Sequence, residues 1–109
     1  MRLLLIVLAL AVVAIAPATA AAKTRNVKIG DNFFVRSGSP KPTVKVHKGT
    51  TVRWNWTGSH SHNVVGSGPA SFQSALKRSG HFSKKMKRRG TYSVICQIHS
   101  GMKMKLKVT

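Results

Sequence analysis

Apolar and polar residues alternate along several short stretches of the chain. Residues 51–56 show this most clearly, because every second position from Val52 to Trp56 is apolar and the positions between are polar. A period of two is typical of a β-strand that buries one face. The same pattern predicts strands at residues 26–29 and 43–46.

The second half of the chain carries further strand signals. Residues 91–96 are β-branched and aromatic, and residues 104–108 alternate apolar side chains with lysines. These features predict one strand at 91–96 and a terminal strand whose lysines point outward. We also expect a strand to begin at 62–65 and a short strand at 81–83.

Glycine and proline separate these segments, and no strong helical pattern follows residue 22. Residues 70–80 have weak periodicity and are predicted to form a loop, with one helical turn around residues 74–76. Several short strands joined by Gly- and Pro-containing turns favour an all-β, antiparallel sandwich. We therefore expect a single domain over residues 23–109.

The first 22 residues have the organisation of a secretory signal peptide. Arg2 precedes an apolar run of 14 residues at positions 3–16, and small residues follow at 17–22. This predicts cleavage after Ala20 or Ala22 and export to a periplasm, the cell surface or the exterior. A membrane anchor is the alternative, but a spanning helix needs about 20 apolar residues. We expect no transmembrane span after cleavage.

The chain is very basic. Nineteen Lys and Arg residues stand against one acidic residue, Asp31, and the formal net charge is +18. Such a charge favours an acidic partner protein or an anionic cell-surface component. Nucleic acid is electrostatically possible, but the predicted export and the lack of a recognition-helix or stacking motif argue against a specific nucleic-acid role.

Three soft or borderline metal donors lie close together near the C-terminus: Cys96, His99 and Met102. His62 is the candidate for a fourth, since a sandwich brings strand ends together at one pole. One Cys and two His with a weak axial Met are the donor set of a blue-copper centre. The lone cysteine excludes an internal disulfide, and a metal thiolate is one way to hold it.

Other readings of these residues fit less well. Structural zinc usually takes more than one Cys and no thioether, and an iron–sulfur cluster generally needs more thiolates. A Cys96–His99 nucleophile pair would need a carboxylate or amide to orient the histidine, and no Asp or Asn stands at a position that suggests this role. A buried, inert cysteine is the simplest alternative.

Residues 42–109 resemble a cupredoxin of the plastocyanin and amicyanin type. The matching pieces follow the family's order: Val52-Arg53-Trp54, Ser61-His62-Asn63-Val64, Gly90-Thr91-Tyr92, Cys96-x-x-His99-x-x-Met102 and Lys105-Leu106-Lys107-Val108. The resemblance implies a Greek-key β-sandwich with one type 1 copper that cycles between Cu(I) and Cu(II).

The resemblance also implies roles for individual residues. It implies His62, Cys96, His99 and Met102 as ligands, with His99 near the surface as the electron exit. It gives Asn63 a hydrogen bond across to the Cys-bearing loop. Many relatives carry Pro where this chain has Ile98, whose retained N–H we expect to donate to the Cys96 sulfur.

Alternatives remain for two of these positions. Met104 is the second candidate for the axial position, but its parity with Leu106 and Val108 favours the core, and we prefer Met102. His60 is the second candidate for the position of His62. The remaining histidines, His47 and His81, are predicted to be ordinary surface residues.

These observations predict an exported, monomeric electron carrier with no catalytic activity. Small residues at 66–70, together with Ser100 and Gly101, are expected to form a close-approach surface around His99. The second hypothesis is copper binding for delivery, storage or resistance without electron transfer. The third is a cationic surface-binding domain in which Cys96 is incidental.

Overall fold

A computed structural model describes residues 23–109 of the chain. The described residues contain no helix, and hence none that is long and apolar enough to cross a membrane. The predicted signal peptide, residues 1–22, lies outside the described residues. The nine strands are β1 (Thr24–Gly30), β2 (Phe33–Phe34), β3 (Thr43–Val46), β4 (Thr51–Trp56), β5 (Val65–Ser67), β6 (Phe72–Gln73), β7 (His81–Lys85), β8 (Gly90–Ile95) and β9 (Lys103–Val108).

The strands form two sheets, with the orders β2-β1-β4-β7 and β3-β9-β8-β5-β6. The chain therefore passes from one sheet to the other five times. Crossing connections of this kind are those of a Greek-key sandwich. The prediction of an all-β sandwich is confirmed.

Both sheets are mixed, which corrects the expectation that they are wholly antiparallel. Strand β1 pairs in parallel with β4, and β3 pairs in parallel with β9. Alternation along a strand determines which face is buried, but it carries no information about the direction of the neighbouring strand. Here that direction follows from the connections through the opposite sheet.

Aromatic rings from both sheets meet in the core. The fully buried ring of Trp54 lies 5.5 Å from that of Phe72 and 5.9 Å from that of Phe82. The Phe72 ring lies 6.1 Å from the ring of Tyr92. Aromatic pairs at these separations contribute about 0.5–1.5 kcal/mol beyond the burial of their area.

The segment 70–80 contains a strand where a loop with a helical turn was predicted. Phe72 enters the core and pairs with Gly66. The buried Ser74 hydroxyl accepts the N–H of Val64, and the Ser74 N–H donates to the Val64 carbonyl, both at 2.8 Å. These long-range bonds hold an extended backbone, so the helical turn predicted around 74–76 is wrong.

Gly66 is required by the packing of Phe72, because a methyl group at this position would overlap the Phe72 ring. We expect Gly66→Ala to lower the free energy of unfolding by about 1–3 kcal/mol, the usual cost of overpacking a core. Chemical denaturation of the metal-free protein measures it.

Ser67→Ala is the matched control, since Ser67 is exposed on the same strand. We expect it to change stability by less than about 0.5 kcal/mol. Equal effects of the two substitutions would contradict the packing argument.

Candidate metal centre

The connection between β8 and β9 carries three of the four predicted ligands. Cys96 follows the last residue of β8, and Met102 precedes the first residue of β9. The Cys96 N–H donates to the Met102 carbonyl at 3.0 Å, and the Met102 N–H donates to the His99 carbonyl at 3.2 Å. These bonds close the connection and hold its side chains on one tight turn.

His62 reaches the same end of the sandwich from the segment that follows β4. Its N–H and carbonyl exchange hydrogen bonds with those of Lys77, at 2.9 and 3.0 Å. The Trp56 indole N–H donates to the His62 carbonyl at 3.0 Å. Three hydrogen bonds thus fix the backbone of a residue that lies outside both sheets and whose side chain is buried.

Two nitrogen atoms and one sulfur atom face one another at this end. The Nδ1 atoms of His62 and His99 are 3.1 Å apart, and the Cys96 Sγ lies 4.0 and 3.6 Å from them, respectively. A point equidistant from the three atoms lies about 2.1 Å from each, which matches a metal–imidazole bond of about 2.0–2.1 Å. The three donors therefore fit a single metal ion.

Burial also prepares His62 for a metal. Desolvation lowers the pKa of its imidazole, and this effect outweighs the opposite effect of the nearby Asp31 carboxylate. The neutral ring, which offers a nitrogen lone pair, is thus favoured.

The two candidate methionines occupy different surroundings, although both are buried. Both also belong to the hydrophobic core cluster, and Met104 lies within β9 opposite Val94. Met102 lines the same cleft as Cys96 and His99. Of the two, Met102 is therefore the one that shares a cleft with Cys96 and His99.

Asn63 ties the segment of His62 to the connection of Cys96. Its Oδ1 accepts the backbone N–H of Gln97 at 2.9 Å, and its Nδ2 donates to the Gln97 Oε1 at 2.8 Å. The predicted hydrogen bond across to the Cys-bearing loop is present, and a second bond accompanies it.

Asp31 lies directly behind His62, a position that no local pattern in the sequence predicts. Its Oδ1 is 3.4 Å from the His62 Nε2. Backbone N–H groups of His60 and Ser59 hold the pKa of this carboxyl well below its usual range. The contact joins positions 31 apart, so neighbouring residues do not reveal it. The one signal in the sequence is that Asp31 is the only acidic residue of the chain.

Residues 37–109 match the model of the copper binding proteins, plastocyanin/azurin family. The chain belongs to this family. With the donor set just described, its cofactor is one type 1 copper ion. No relative was found among curated proteins.

Several solved structures share the fold of this cupredoxin. A reduced amicyanin variant with tryptophan replaced by tyrosine has 24% identity and a TM-score of 0.65, covering 84% of this chain and 88% of that one. A novel purple cupredoxin from Nitrosopumilus maritimus has 20% identity and a TM-score of 0.63, covering 77% and 98%.

A copper-containing nitrite reductase from Thermus scotoductus SA-01 also matches, with 23% identity and a TM-score of 0.62. The match covers 81% of this chain, but the cupredoxin spans only 22% of the length of that enzyme. At this level of identity, the likeness shows the fold alone.

The other histidines of this cupredoxin are exposed. His60 stacks on His99 with ring centroids 6.4 Å apart. His81 contacts Arg53 at 3.1 Å, and His47 contacts the Thr109 hydroxyl at 3.3 Å. All three lie outside the group of converging donors, whose His and Cys members are His62, Cys96 and His99.

Two expectations about the surroundings of Cys96 and His99 need correction. Among the hydrogen bonds of residues 23–109, none joins the Ile98 N–H to the Cys96 sulfur. Residues 66–69 do not surround His99, because Ser67 pairs with Ser93 and the segment then runs toward Gly90, at the start of β8. Cys96 follows the opposite end of that strand, six residues from Gly90 and therefore about 20 Å away at 3.4 Å per residue.

The Asn63 bridge generates a prediction about stability. Asn63→Ala removes both hydrogen bonds to Gln97 and leaves the backbone N–H of that residue without this acceptor. We expect the free energy of unfolding of the metal-free protein to fall by about 1–3 kcal/mol, measured by denaturation.

Gln97→Ala is the control, since it removes the side-chain bond and keeps the bond from the backbone N–H. We expect a loss near the lower end of the range for one hydrogen bond, about 0.5–1.5 kcal/mol. A larger loss in Gln97→Ala than in Asn63→Ala would refute this division.

Proposed function

We propose that this protein is an exported blue-copper electron carrier that shuttles single electrons between redox partners and has no catalytic activity of its own. Its ligands are His62, Cys96, His99 and Met102. The convergence of two imidazole nitrogens and one thiol on a common point carries the proposal. When bound there, copper supplies a one-electron couple between Cu(I) and Cu(II).

The protein contributes a fixed and mostly dry donor set. His62 and Cys96 are buried, and Met102 is 2% exposed, so these three side chains have little contact with water. The backbone bonds of the 96–102 connection and the Lys77 bridge restrain the donors. Restrained donors have little freedom to rearrange when one electron is gained or lost, and this favours fast transfer.

Three large apolar side chains are exposed among the described residues, and all adjoin segments that hold the site. Ile95 and Ile98 lie next to or within the 96–102 connection and are 42% and 51% exposed. Leu76, 56% exposed, precedes the residue that bridges to His62. Apolar contacts at a surface of basic character suit brief docking of a partner over the half-buried His99.

A row of lysines extends from the edge of this docking surface along β9 to β3. Strand β9 directs Lys103, Lys105 and Lys107 outward, and Lys45 of β3 lies beside Lys107. We call these four residues the lysine row, which begins next to Met102. Like charges on adjacent strands repel, so the row favours an acidic partner protein or another anionic surface.

The spectrum of the copper-loaded mature domain is the primary test. We expect an intense blue absorption from thiolate-to-copper charge transfer, and its complete loss in Cys96→Ala. Met104→Leu is the control for the axial position and retains the blue band, whereas Met102→Leu shifts the band and the reduction potential. A pale Cu(II) protein would refute the type 1 centre.

Electron transfer is distinguished from copper delivery, storage or resistance by two further measurements. A carrier retains copper against a Cu(I) chelator and, at high ionic strength where salt screens the repulsion between two basic molecules, broadens NMR lines through rapid self-exchange of electrons. Rapid release of copper with slow self-exchange would support the second hypothesis. The mass of the exported chain tests cleavage after Ala20 or Ala22.

The charge of the surface predicts the response to a small anionic oxidant. We expect oxidation of the Cu(I) protein by ferricyanide to slow as ionic strength rises, because salt screens the attraction. Lys103→Glu, next to the site, should lower the rate several-fold at low salt in stopped-flow measurements.

Lys48→Glu is matched in charge but lies far from the site, since the Lys48 N–H bonds to the carbonyl of Thr109 beyond the far end of β9. We expect a smaller decrease for this variant. Equal decreases would assign the effect to net charge and contradict local steering.

A further inference from the structure

The only acidic residue of the chain sits on a turn that is built against the metal site. Asp31 and Asn32 form the two-residue connection between paired Gly30 and Phe33. Asn32 adopts a φ of 69°, a left-handed conformation that Asn tolerates better than most residues. The turn therefore has a defined shape that places the Asp31 carboxylate.

The turn is attached to the loop that leads into His62. Both the N–H and the hydroxyl of Thr57 donate to the Ile29 carbonyl at 2.9 Å. Asp31 Oδ1 accepts the backbone N–H groups of Ser59 and His60 at 3.0 and 2.9 Å. Its Oδ2 accepts the N–H and hydroxyl of Ser59 at 3.2 and 3.1 Å.

The remaining contacts of this carboxylate are with histidine rings. Asp31 Oδ1 lies 3.4 Å from the His62 Nε2 and 3.8 Å from the His60 Nδ1. The His62 ring is buried, whereas that of His60 is largely exposed. Burial leaves the His62 ring few other orientations, so its contact with the carboxylate is the better defined of the two.

Space for the carboxylate is left by a glycine. A methyl group at Gly58 would overlap the Asp31 Oδ1. The loop and the turn thus fit together only while position 58 has no side chain. This fit is independent of the hydrogen bonds and supports a defined position for Asp31.

The contact has a chemical consequence for His62. An ionised carboxylate accepts hydrogen bonds and donates none, and a neutral imidazole carries hydrogen on one nitrogen only. The contact with Asp31 therefore places the hydrogen on Nε2. The Nδ1 is then a bare lone pair on the side that faces Cys96 and His99.

We propose that Asp31 is a positioning residue of the copper site, which fixes the orientation and the Nε2–H tautomer of His62 and favours Cu(II) over Cu(I) through its negative charge. Carboxylate partners of metal-bound histidines act in this way at other metal sites. The proposal rests on His62 as a copper ligand, but it does not depend on electron transfer to a partner.

The tautomer is measured without copper, by ¹⁵N NMR of the histidine rings in the metal-free protein. In the wild type we expect His62 to carry its proton on Nε2 and to show a bare Nδ1. In Asp31→Asn we expect a mixture of tautomers or the reversed one. A wild-type ring that is protonated on Nδ1, or that exchanges freely between tautomers, overturns the proposal even if the variant does not fold.

Copper loading gives the second readout. We expect Asp31→Asn to lower the affinity for Cu(II) by about 10- to 100-fold, the usual effect of losing such a partner. The reduction potential should rise, because Cu(II) loses more stabilisation than Cu(I). Unchanged affinity and potential in a folded variant overturn the proposal.

Three controls separate positioning from other effects. Thr91→Lys adds the same unit of charge at the opposite end of β8 and should shift the potential less. Ser59→Ala removes one hydrogen bond to Asp31 and should leave the tautomer unchanged. Gly58→Ala displaces the carboxylate at constant charge and should reproduce the loss of tautomer control, and a wild-type tautomer in this variant would contradict the proposal.

If electron transfer proves slow while these results hold, the carrier function fails and the role of Asp31 stands. If the tautomer and the affinity are insensitive to Asp31 while electron transfer is fast, the role of Asp31 fails and the carrier function stands. The two proposals are thus tested separately.

Discussion

Donor atoms from distant parts of the chain must meet within 3.1–4.0 Å, and the rest of this fold serves that constraint. His62 and Cys96 are 34 residues apart, and the single cysteine rules out an internal disulfide that would join their segments. Hydrogen bonds of the backbone hold the two segments together instead. The ladder of β8 and β9 holds the 96–102 connection, and the bonds from Lys77 and Trp56 hold His62.

The high charge of the chain is compatible with this fold because charge and core use alternate positions. In β9, each outward lysine is followed by an inward apolar residue, and the inward residues are fully or almost fully buried. Self-repulsion of the lysine row opposes folding. The core residues between the sheets offset that cost.

Local patterns predicted most of the strands and the group of three donors near the C-terminus. Alternation located β3, β4 and β9 within a residue or so, and the resemblance to cupredoxins placed His62 with Cys96 and His99. Each of these inferences depends on neighbours in the sequence or on a motif that stays together.

Features that depend on distant contacts were not predictable in this way. The strand at Phe72 forms because Gly66 leaves room for its ring, and the contact of Asp31 with His62 depends on how a turn meets a loop. The misplacement of residues 66–69 has the same origin, since a strand's direction within a sheet is not encoded in its own alternation.

The burial of Cys96 has a consequence for the time before the metal arrives. A disulfide between two molecules requires their sulfur atoms to approach within about 2.05 Å, and a side chain that is only 4% exposed does not allow this in the folded state. Folding thus protects the thiol from oxidative dimerisation. The vulnerable interval is the unfolded one, so in an oxidising compartment the speed of folding determines how much of the protein keeps the thiolate that copper needs.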